Sequence, residues 1–165
     1  MAAPTDSKTT KRMDPLAGFC FKVTFTDLPK DGIVETFFRS VSGLRVENEV
    51  IPMAAGGAND TVFNLVGRVK WSPLVFKQGF TKGSGLLKWR ELWTRTDKES
   101  FPKKRTTGTI VQLDTTLQVP QAVWTFVRGW PSKWELSEFD ASKNELSIET
   151  LEISHEGLSY EEQKP

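Results

Sequence analysis

The chain has 165 residues, of which 38% are hydrophobic and 26% are charged, the balance of one globular domain. Its net charge of +1 argues against a globally basic nucleic-acid-binding protein. The single cysteine, Cys20, excludes an intramolecular disulfide, and the single histidine, His155, excludes every metal site or triad that needs two. We therefore expect neither a cofactor nor a bound metal.

The N-terminal segment is polar and rich in small residues. Residues 1–13 lack the apolar region of a secretory signal, so we expect them to form a flexible tail. No run of about 18 apolar residues is present that would indicate a membrane-spanning helix. We expect a cytoplasmic protein with one domain over residues 14–160 and a short C-terminal tail over 161–165.

Strand patterns dominate the first half of the chain. Residues 19–25 alternate between large apolar and polar side chains, the period of a half-buried strand. Further strand candidates follow at 34–41, 44–51, 62–69 and 72–77. Gly67 inside one of them suggests a bulge or a close backbone approach. The glycine-rich stretch 52–61 is expected to be a long tip between two strands.

One helix is expected before the second group of strands. Leu86, Trp89 and Trp93 recur at helical spacing after Ser84, a suitable N-cap, and should pack on a sheet. Strand candidates then follow at 109–114, 122–130 (which we expect Pro131 to end) and 146–153. This order predicts a mainly β fold: an antiparallel β-barrel or sandwich of seven to eight strands with one amphipathic helix packed on it.

Charge is distributed unevenly along the chain. Residues 135–165 contain nine acids and two bases, a net charge of −7, whereas residues 1–134 contain twenty bases and twelve acids, a net charge of +8. A solvated acidic tail accounts for this pattern. A surface with one positive and one negative pole also accounts for it, and would favour head-to-tail association over a closed dimer.

Few residues suggest chemistry. Glu47 and Glu49 lie two apart on a strand, about 7 Å from each other on one face, a spacing that an inverting glycosidase could use. Such pairs are common, so we expect a solvated or interface face instead. His155 and Ser154 are adjacent and point to opposite faces, which rules out a dyad between them. We expect no catalytic residue.

Two other features are open to a binding function. The loop bases Lys98, Lys103, Lys104 and Arg105 could contact phosphate, but short basic loops are usually solvated, and we expect no sequence-specific nucleic-acid binding. Six tryptophans leave a carbohydrate-binding β-sandwich as an alternative, which requires an exposed aromatic row. Their positions on the helix stripe and on strands favour the core or a subunit interface.

A family resemblance extends over residues 14–158. Its main segments follow in one order: DPLAGFCFKV at 14–23, FRSVSGL at 38–44, ENEVI at 47–51, GGAN at 56–59, FKQGFT at 76–81 and WPSKW at 130–134. Trp89 matches the helix tryptophan, and residues 136–158 look like the C-terminal strand. Together they resemble the phage T4-like tail tube protein family, which includes inner tube proteins of extracellular contractile injection systems.

The resemblance implies a structural protein. Members form hexameric rings that stack head to tail into a hollow tube inside a contractile sheath, and contraction drives the tube through a target membrane. The implied partners are further copies of the chain, the sheath protein, a baseplate tube initiator and cargo in the lumen, with the membrane only as a puncture target. The implied location is the cytoplasm of the producing bacterium and then the assembled particle.

The resemblance also implies which residues contact neighbouring subunits. The extended hairpin around residues 47–61 would reach other subunits or rings. The expected contact residues are Glu47, Glu49, Met53, Gly56, Gly57 and Asn59. The alternatives are a baseplate-proximal tube initiator with the same fold, the carbohydrate-binding module, and a hydrolase that uses Glu47 and Glu49.

Overall fold

The computed structural model describes residues 18–28, 32–36, 38–54, 56–57, 61–80, 85–95, 103–142 and 144–162. Within these ranges the chain forms ten strands and one helix. The first six strands are β1 (Phe21–Leu28), β2 (Gly32–Thr36), β3 (Ser40–Ser42), β4 (Val46–Ala54), β5 (Val62–Trp71) and β6 (Leu74–Gly79). Helix α1 (Gly85–Thr94) precedes β7 (Thr106–Leu113), β8 (Pro120–Leu136), β9 (Ile148–Ser154) and β10 (Gly157–Glu162).

Eight of the strands belong to one antiparallel sheet. Its order is β2-β1-β7-β8-β9-β6-β3, and β10 also pairs with β8. The 17-residue strand β8 pairs with β7 and β10 over its first half and with β9 over its second. Because β8 belongs to both halves of the sheet, it is the strand along which one half continues into the other.

The two halves of the sheet face each other across the core. Four strand spacings separate β1 from β6, roughly 19 Å in a flat sheet. The rings of Phe25 on β1 and Phe76 on β6 are nevertheless only 5.7 Å apart. Phe126 on β8 meets both rings, at 6.0 and 6.4 Å. The sheet therefore folds over on itself and encloses an aromatic core.

Helix α1 packs on this core through the predicted apolar stripe. Leu86 and Trp89 are buried, and Trp93 stacks on Trp130 of β8 at 5.6 Å between ring centroids. Lys88 and Glu91 face solvent. Ser84, the predicted N-cap, lies outside the described residues.

A buried carboxylate joins three strands of the sheet, one of which contacts helix α1. Glu149 on β9 is 1% exposed and accepts hydrogen bonds from Gln78 Nε2 at 2.9 Å and Trp134 Nε1 at 2.6 Å. Arg90 of α1 lies over the Trp134 ring, 5.2 Å from its centroid. Burial of a carboxylate is costly unless hydrogen bonds replace its hydration. Two neutral donors provide that replacement and tie β6, β8 and β9 together.

The predicted fold class is confirmed, with ten strands in place of seven to eight because some segments divide and β10 was not predicted. The prediction that Pro131 ends its strand is wrong, since β8 continues to Leu136. Beyond Gly129, the described part of β8 pairs with β9 on one side only. Proline is tolerated in such a one-sided strand because no ladder hydrogen bond is lost on the open side.

The turn between β7 and β8 is held by one carboxylate. Asp114 accepts hydrogen bonds from Thr116 Oγ1 at 2.6 Å and from the backbone N–H groups of Gln118 and Val119, each at 3.1 Å. The Thr116 hydroxyl first, followed by the Val119 amide, lowers the pKa of Asp114. The turn also holds Leu117 at a φ of 62°, which is unusual for a residue other than glycine.

The lowered pKa makes the turn sensitive to acid. A depressed pKa gives stability that is present above the unfolded value, about 3.9 for aspartate, and is lost as the pH falls through the folded value. We expect Asp114→Ala to lower the melting temperature at pH 7, and we expect the gap from wild type to close as the pH falls below the usual aspartate range and through the lowered pKa of Asp114. Thermal unfolding followed by circular dichroism from pH 7 to 2 measures the gap. Thr115→Ala in the same turn is the control, and a gap that stays constant with pH would contradict the assignment.

Candidate functional site

The feature that stands apart from the core is a projecting hairpin. Strands β4 and β5 form a separate two-stranded sheet, in which Met53 pairs with Phe63 and Ile51 with Leu65. A two-stranded hairpin is at best marginally stable alone in water. The β4–β5 hairpin therefore depends on support at its root or on cover from another molecule.

Both faces of the hairpin are apolar. One face exposes Ile51, Met53, Phe63 and Leu65, each 46–50% accessible. The other exposes five valines, each 51–82% accessible: Val46, Val50, Val62, Val66 and Val69. Contiguous exposed apolar surface on a folded chain marks an interaction site. The hairpin is thus suited to burial on both sides by other protein surfaces.

The bulge or close backbone approach predicted at Gly67 is confirmed in the hairpin. The register shifts between Asn48 and Val50, opposite Gly67. A Cβ atom on Gly67 would lie 2.8 Å from the carbonyl oxygen of Glu49. Glycine permits this close approach. The bulge separates a root that carries charged residues as well as Val46 and Val69 from an outer part of β4 and β5 that has no charged residue.

The root of the hairpin is fixed to the sandwich. Gly43 has a φ of 88°, and a Cβ atom there would lie 2.0 Å from the Pro73 carbonyl oxygen. His155 Nε2 lies 3.1 Å from the Ser72 carbonyl oxygen, and its Nδ1 lies 3.1 Å from that of Gly157. The same imidazole packs against Trp71, with centroids 5.9 Å apart. These contacts set the direction in which the hairpin projects.

The structure places most of the predicted contact residues on this hairpin. Glu47, Glu49 and Met53 are on β4, Gly56 and Gly57 are in the exposed turn after it, and Asn59 lies outside the described residues. Glu47 pairs with Arg45, and Glu49 Oε1 lies 3.8 Å from Lys70 Nζ. Exposed pairs of this kind contribute about 0–1 kcal/mol. They order the root, whereas most of the exposed apolar side chains lie further out.

Sequence reasoning missed most of the exposed apolar surface of the hairpin. Val62, Phe63, Leu65 and Val66 occupy both alternating positions of one strand. A strand with one buried face alternates, so apolar residues in both positions indicate that both faces are to be covered. Residues 62–66 of the sequence show apolar side chains at both alternating positions.

The tryptophans do not form the exposed row that a carbohydrate-binding surface needs. Trp89 is 1% exposed, and the other five are half-buried. Trp93 stacks on Trp130, and Trp124 lies 5.4 Å from the ring of Tyr160. Their faces are occupied by other side chains, as expected of a core or an interface.

These features define a class of protein. A β-sandwich with open sheet edges that carries a long hairpin with two apolar faces is typical of a protein that associates through these surfaces. Its only described helix is far too short and polar to cross a membrane.

Comparison with known proteins identifies the family. The model of the T4-like virus tail tube protein gp19 family matches residues 17–159, and the chain belongs to this family. No curated protein sequence matches the chain.

Solved structures show the same fold. A chain of the anti-feeding prophage (AFP) baseplate is 24% identical with a TM-score of 0.81, covering 92% of this chain and 98% of its own. A chain of the AFP tube-terminating cap is 15% identical with a TM-score of 0.78, covering 98% and 100%. A chain of the PVC sheath–tube complex, from an extracellular contractile injection system in the extended state, is 17% identical with a TM-score of 0.75, also covering 98% and 100%.

The geometry of the root predicts that a side chain at Gly43 destabilises the protein. Gly43→Ala places a methyl group against the Pro73 carbonyl in a left-handed conformation, which costs about 1–2 kcal/mol before the clash is counted. We expect a lower midpoint of urea unfolding and faster hydrogen exchange along β4 and β5. Gly56→Ala, where no atom lies within 4 Å of the added carbon, is the matched control. Equal stability of the two variants would show that the root does not constrain the hairpin.

Proposed function

We propose that this protein is the inner tube subunit of a contractile injection system or phage-like tail. Copies form hexameric rings that stack head to tail into a hollow tube, which contraction of a sheath drives through a target membrane. The observation that carries the proposal is the hairpin with two apolar faces on a chain of the tail tube family.

The hairpin supplies the main contact between subunits. A fully buried apolar side chain contributes about 1.5–3 kcal/mol relative to an exposed one. Nine such side chains on β4 and β5 are 46–82% exposed in the single chain. Their burial offsets the free-energy cost of association, which is several kcal/mol for each interface. Glu47, Glu49, Met53, Gly56, Gly57 and Asn59 are the proposed contact residues within this element.

The sheet edges supply a second contact. The terminal strands β2 and β3 each pair with one described neighbour, as does β10. An unpaired edge is a template for a strand of another chain. Pairing between two different edges gives a heterologous contact between subunits. A ring results when the rotation from each subunit to the next closes on itself.

The family and the solved assemblies of similar fold support the proposed partners and location. Those assemblies are a baseplate, a tube cap and a sheath–tube complex. The proposed partners are other copies, the sheath protein, the baseplate tube initiator and lumen cargo. The chain would be made in the bacterial cytoplasm and would reside in the assembled particle.

The proposed role is structural and not catalytic. The two carboxylates that could have served hydrolysis, Glu47 and Glu49, lie beside the cations Arg45 and Lys70 at the root of the hairpin. Substitution of either carboxylate by glutamine is therefore expected to alter assembly. It is not expected to change any catalytic turnover.

One observation favours a second candidate, the baseplate-proximal tube initiator. The match to a baseplate chain, at 24% identity, exceeds the 17% match to the sheath–tube complex. Abundance separates the two roles. In purified particles, a main tube subunit is present in numbers comparable to the sheath protein, whereas an initiator is present in one or a few rings.

The hairpin's role is tested by removing its apolar surface. We expect Met53→Ser with Phe63→Ser to fold normally, because both side chains point away from the core, and to lose rings and tubes. Negative-stain electron microscopy and sedimentation velocity measure assembly, and circular dichroism measures folding. Leu117→Asn with Val119→Thr, exposed apolar residues of the β7–β8 turn, is the control. Tubes of wild-type length from the hairpin variant would overturn the proposal.

A further inference from the structure

An open cleft lies where the two halves of the sheet part. It has a volume of about 440 Å³ and is lined by the ends of β1, β7 and β8 and by residues 39–44. Phe21, Ile110 and Trp124 form its floor and continue the core. Clefts of about 300–1,000 Å³ hold drug-sized groups, so this one has room for an aromatic side chain with its neighbours.

The rim of the cleft is apolar with one cation. Phe19 is 76% exposed and Leu44 is 39% exposed. Arg39 also lines the cleft, held in place by a hydrogen bond from its backbone N–H to the Lys77 carbonyl oxygen at 2.7 Å. No described acid pairs with the Arg39 guanidinium. The cleft thus combines apolar surface with a positive charge that pairs with no acid in the described part of the chain.

The segment between β8 and β9 has the complementary chemistry. Phe139 is 76% exposed and Leu146 is 88% exposed, among the most accessible large apolar side chains of the described chain. Each directly follows a glutamate, Glu138 or Glu145, and neither glutamate forms an ion pair with a described residue. We name residues 137–142 and 144–147 the acidic loop.

The base of the acidic loop is closed by hydrogen bonds. Ser137 N–H donates to the Ile148 carbonyl oxygen at 2.9 Å, and Ile148 N–H donates to Ser137 Oγ at 2.9 Å. Within the loop, Asp140 accepts from the Ser142 backbone N–H at 2.9 Å and from its hydroxyl at 2.6 Å. The loop is therefore shaped before it meets a partner, which lowers the entropy cost of docking.

The acidic loop does not fill the cleft of its own chain. Ser40 at the cleft lies in one row across the sheet with Lys77, Thr150 and Glu135, roughly 14 Å from Glu135, and the acidic loop begins two residues later. No described residue of the loop lines the cleft, and Phe139 and Leu146 stay exposed. A contact between these two complementary surfaces therefore forms between copies, and contacts between unlike surfaces run head to tail.

We propose that the cleft receives the acidic loop of a second copy of this chain. Phe139 or Leu146 enters between Phe19 and Leu44, and the preceding glutamate pairs with Arg39. This inference rests on the proposed self-assembly and names an acceptor and a donor for one of its contacts. The charge pair makes the contact weaker at high salt, because screening acts on pairs at the rim.

The first experiment is disulfide trapping between single-cysteine variants. In a Cys20→Ser background, Ser40→Cys marks the cleft and Ala141→Cys marks the acidic loop. We expect a mixture of the two variants to form a cross-linked dimer under mild oxidation, at a yield at least several-fold above either variant alone. Lys88→Cys, on the solvent face of α1, replaces Ala141→Cys in the control mixture. Met53→Cys in its place tests whether the hairpin fills the cleft instead.

The second experiment exchanges the charges. Arg39→Glu is expected to weaken self-association about tenfold or more, measured by sedimentation velocity at low salt. Adding Glu138→Arg and Glu145→Arg to the same chain should restore it, because the pair re-forms with reversed sign. Arg95→Glu, on the exposed end of α1, controls for the change in net charge. Circular dichroism verifies that each variant is folded.

The outcomes separate this contact from self-assembly in general. Wild-type protein that forms rings or tubes, with cross-linking only through Met53→Cys or no rescue by the charge exchange, overturns the cleft–loop contact alone. Wild-type protein that stays a monomer at all salt concentrations and in mixtures with baseplate overturns both. Trapping through Ala141→Cys together with rescue establishes the contact.

Discussion

The fold depends on the pairing of β8 with strands from both halves of the sheet. Its first half pairs with β7 and β10, and its second half pairs with β9. This arrangement brings Phe25 and Phe76 together although four strand spacings separate them in the sheet. The residue at the crossover, Arg128, has a φ of 55°, in the left-handed region, and pairs with Glu156 beside it. Local backbone strain is maintained at this point because the surrounding ladders fix the chain on both sides.

A rigid body is the condition for a projecting hairpin to have a defined direction. Glu149 joins three strands through Gln78 and Trp134, and Arg90 adds the helix. His155 lies between the Ser72 carbonyl group at the hairpin root and the Gly157 carbonyl group at the start of β10. No described residue of β4 or β5 belongs to the core cluster, so the contacts at the root, where His155 meets the Ser72 carbonyl and the Trp71 ring, determine where the hairpin points.

Patterns in the sequence predicted the elements that depend on short-range periodicity. Alternation predicted β1, and helical spacing of Leu86, Trp89 and Trp93 predicted the packed face of α1. Strand β10 was missed because its acidic end, Glu161 and Glu162, is typical of a solvated tail. The cleft was not predictable because Phe21, Val41 and Trp124, far apart in sequence, meet only through the sheet order.

Fewer acids of the C-terminal region are available for contacts between copies than the net charge of the sequence suggests. Much of that charge is used inside the chain: Glu149 is buried, Glu135 and Glu152 lie beside Lys133, and Glu156 binds Arg105 and Arg128. Paired charges give little attraction at a distance because their fields largely cancel. Glu138 and Glu145 at the acidic loop and Glu161 and Glu162 at the end of β10 form no ion pair with another described residue. Any negative pole therefore reduces to those two places, and complementarity between copies must be sought in a few exposed glutamates and not in the net charge.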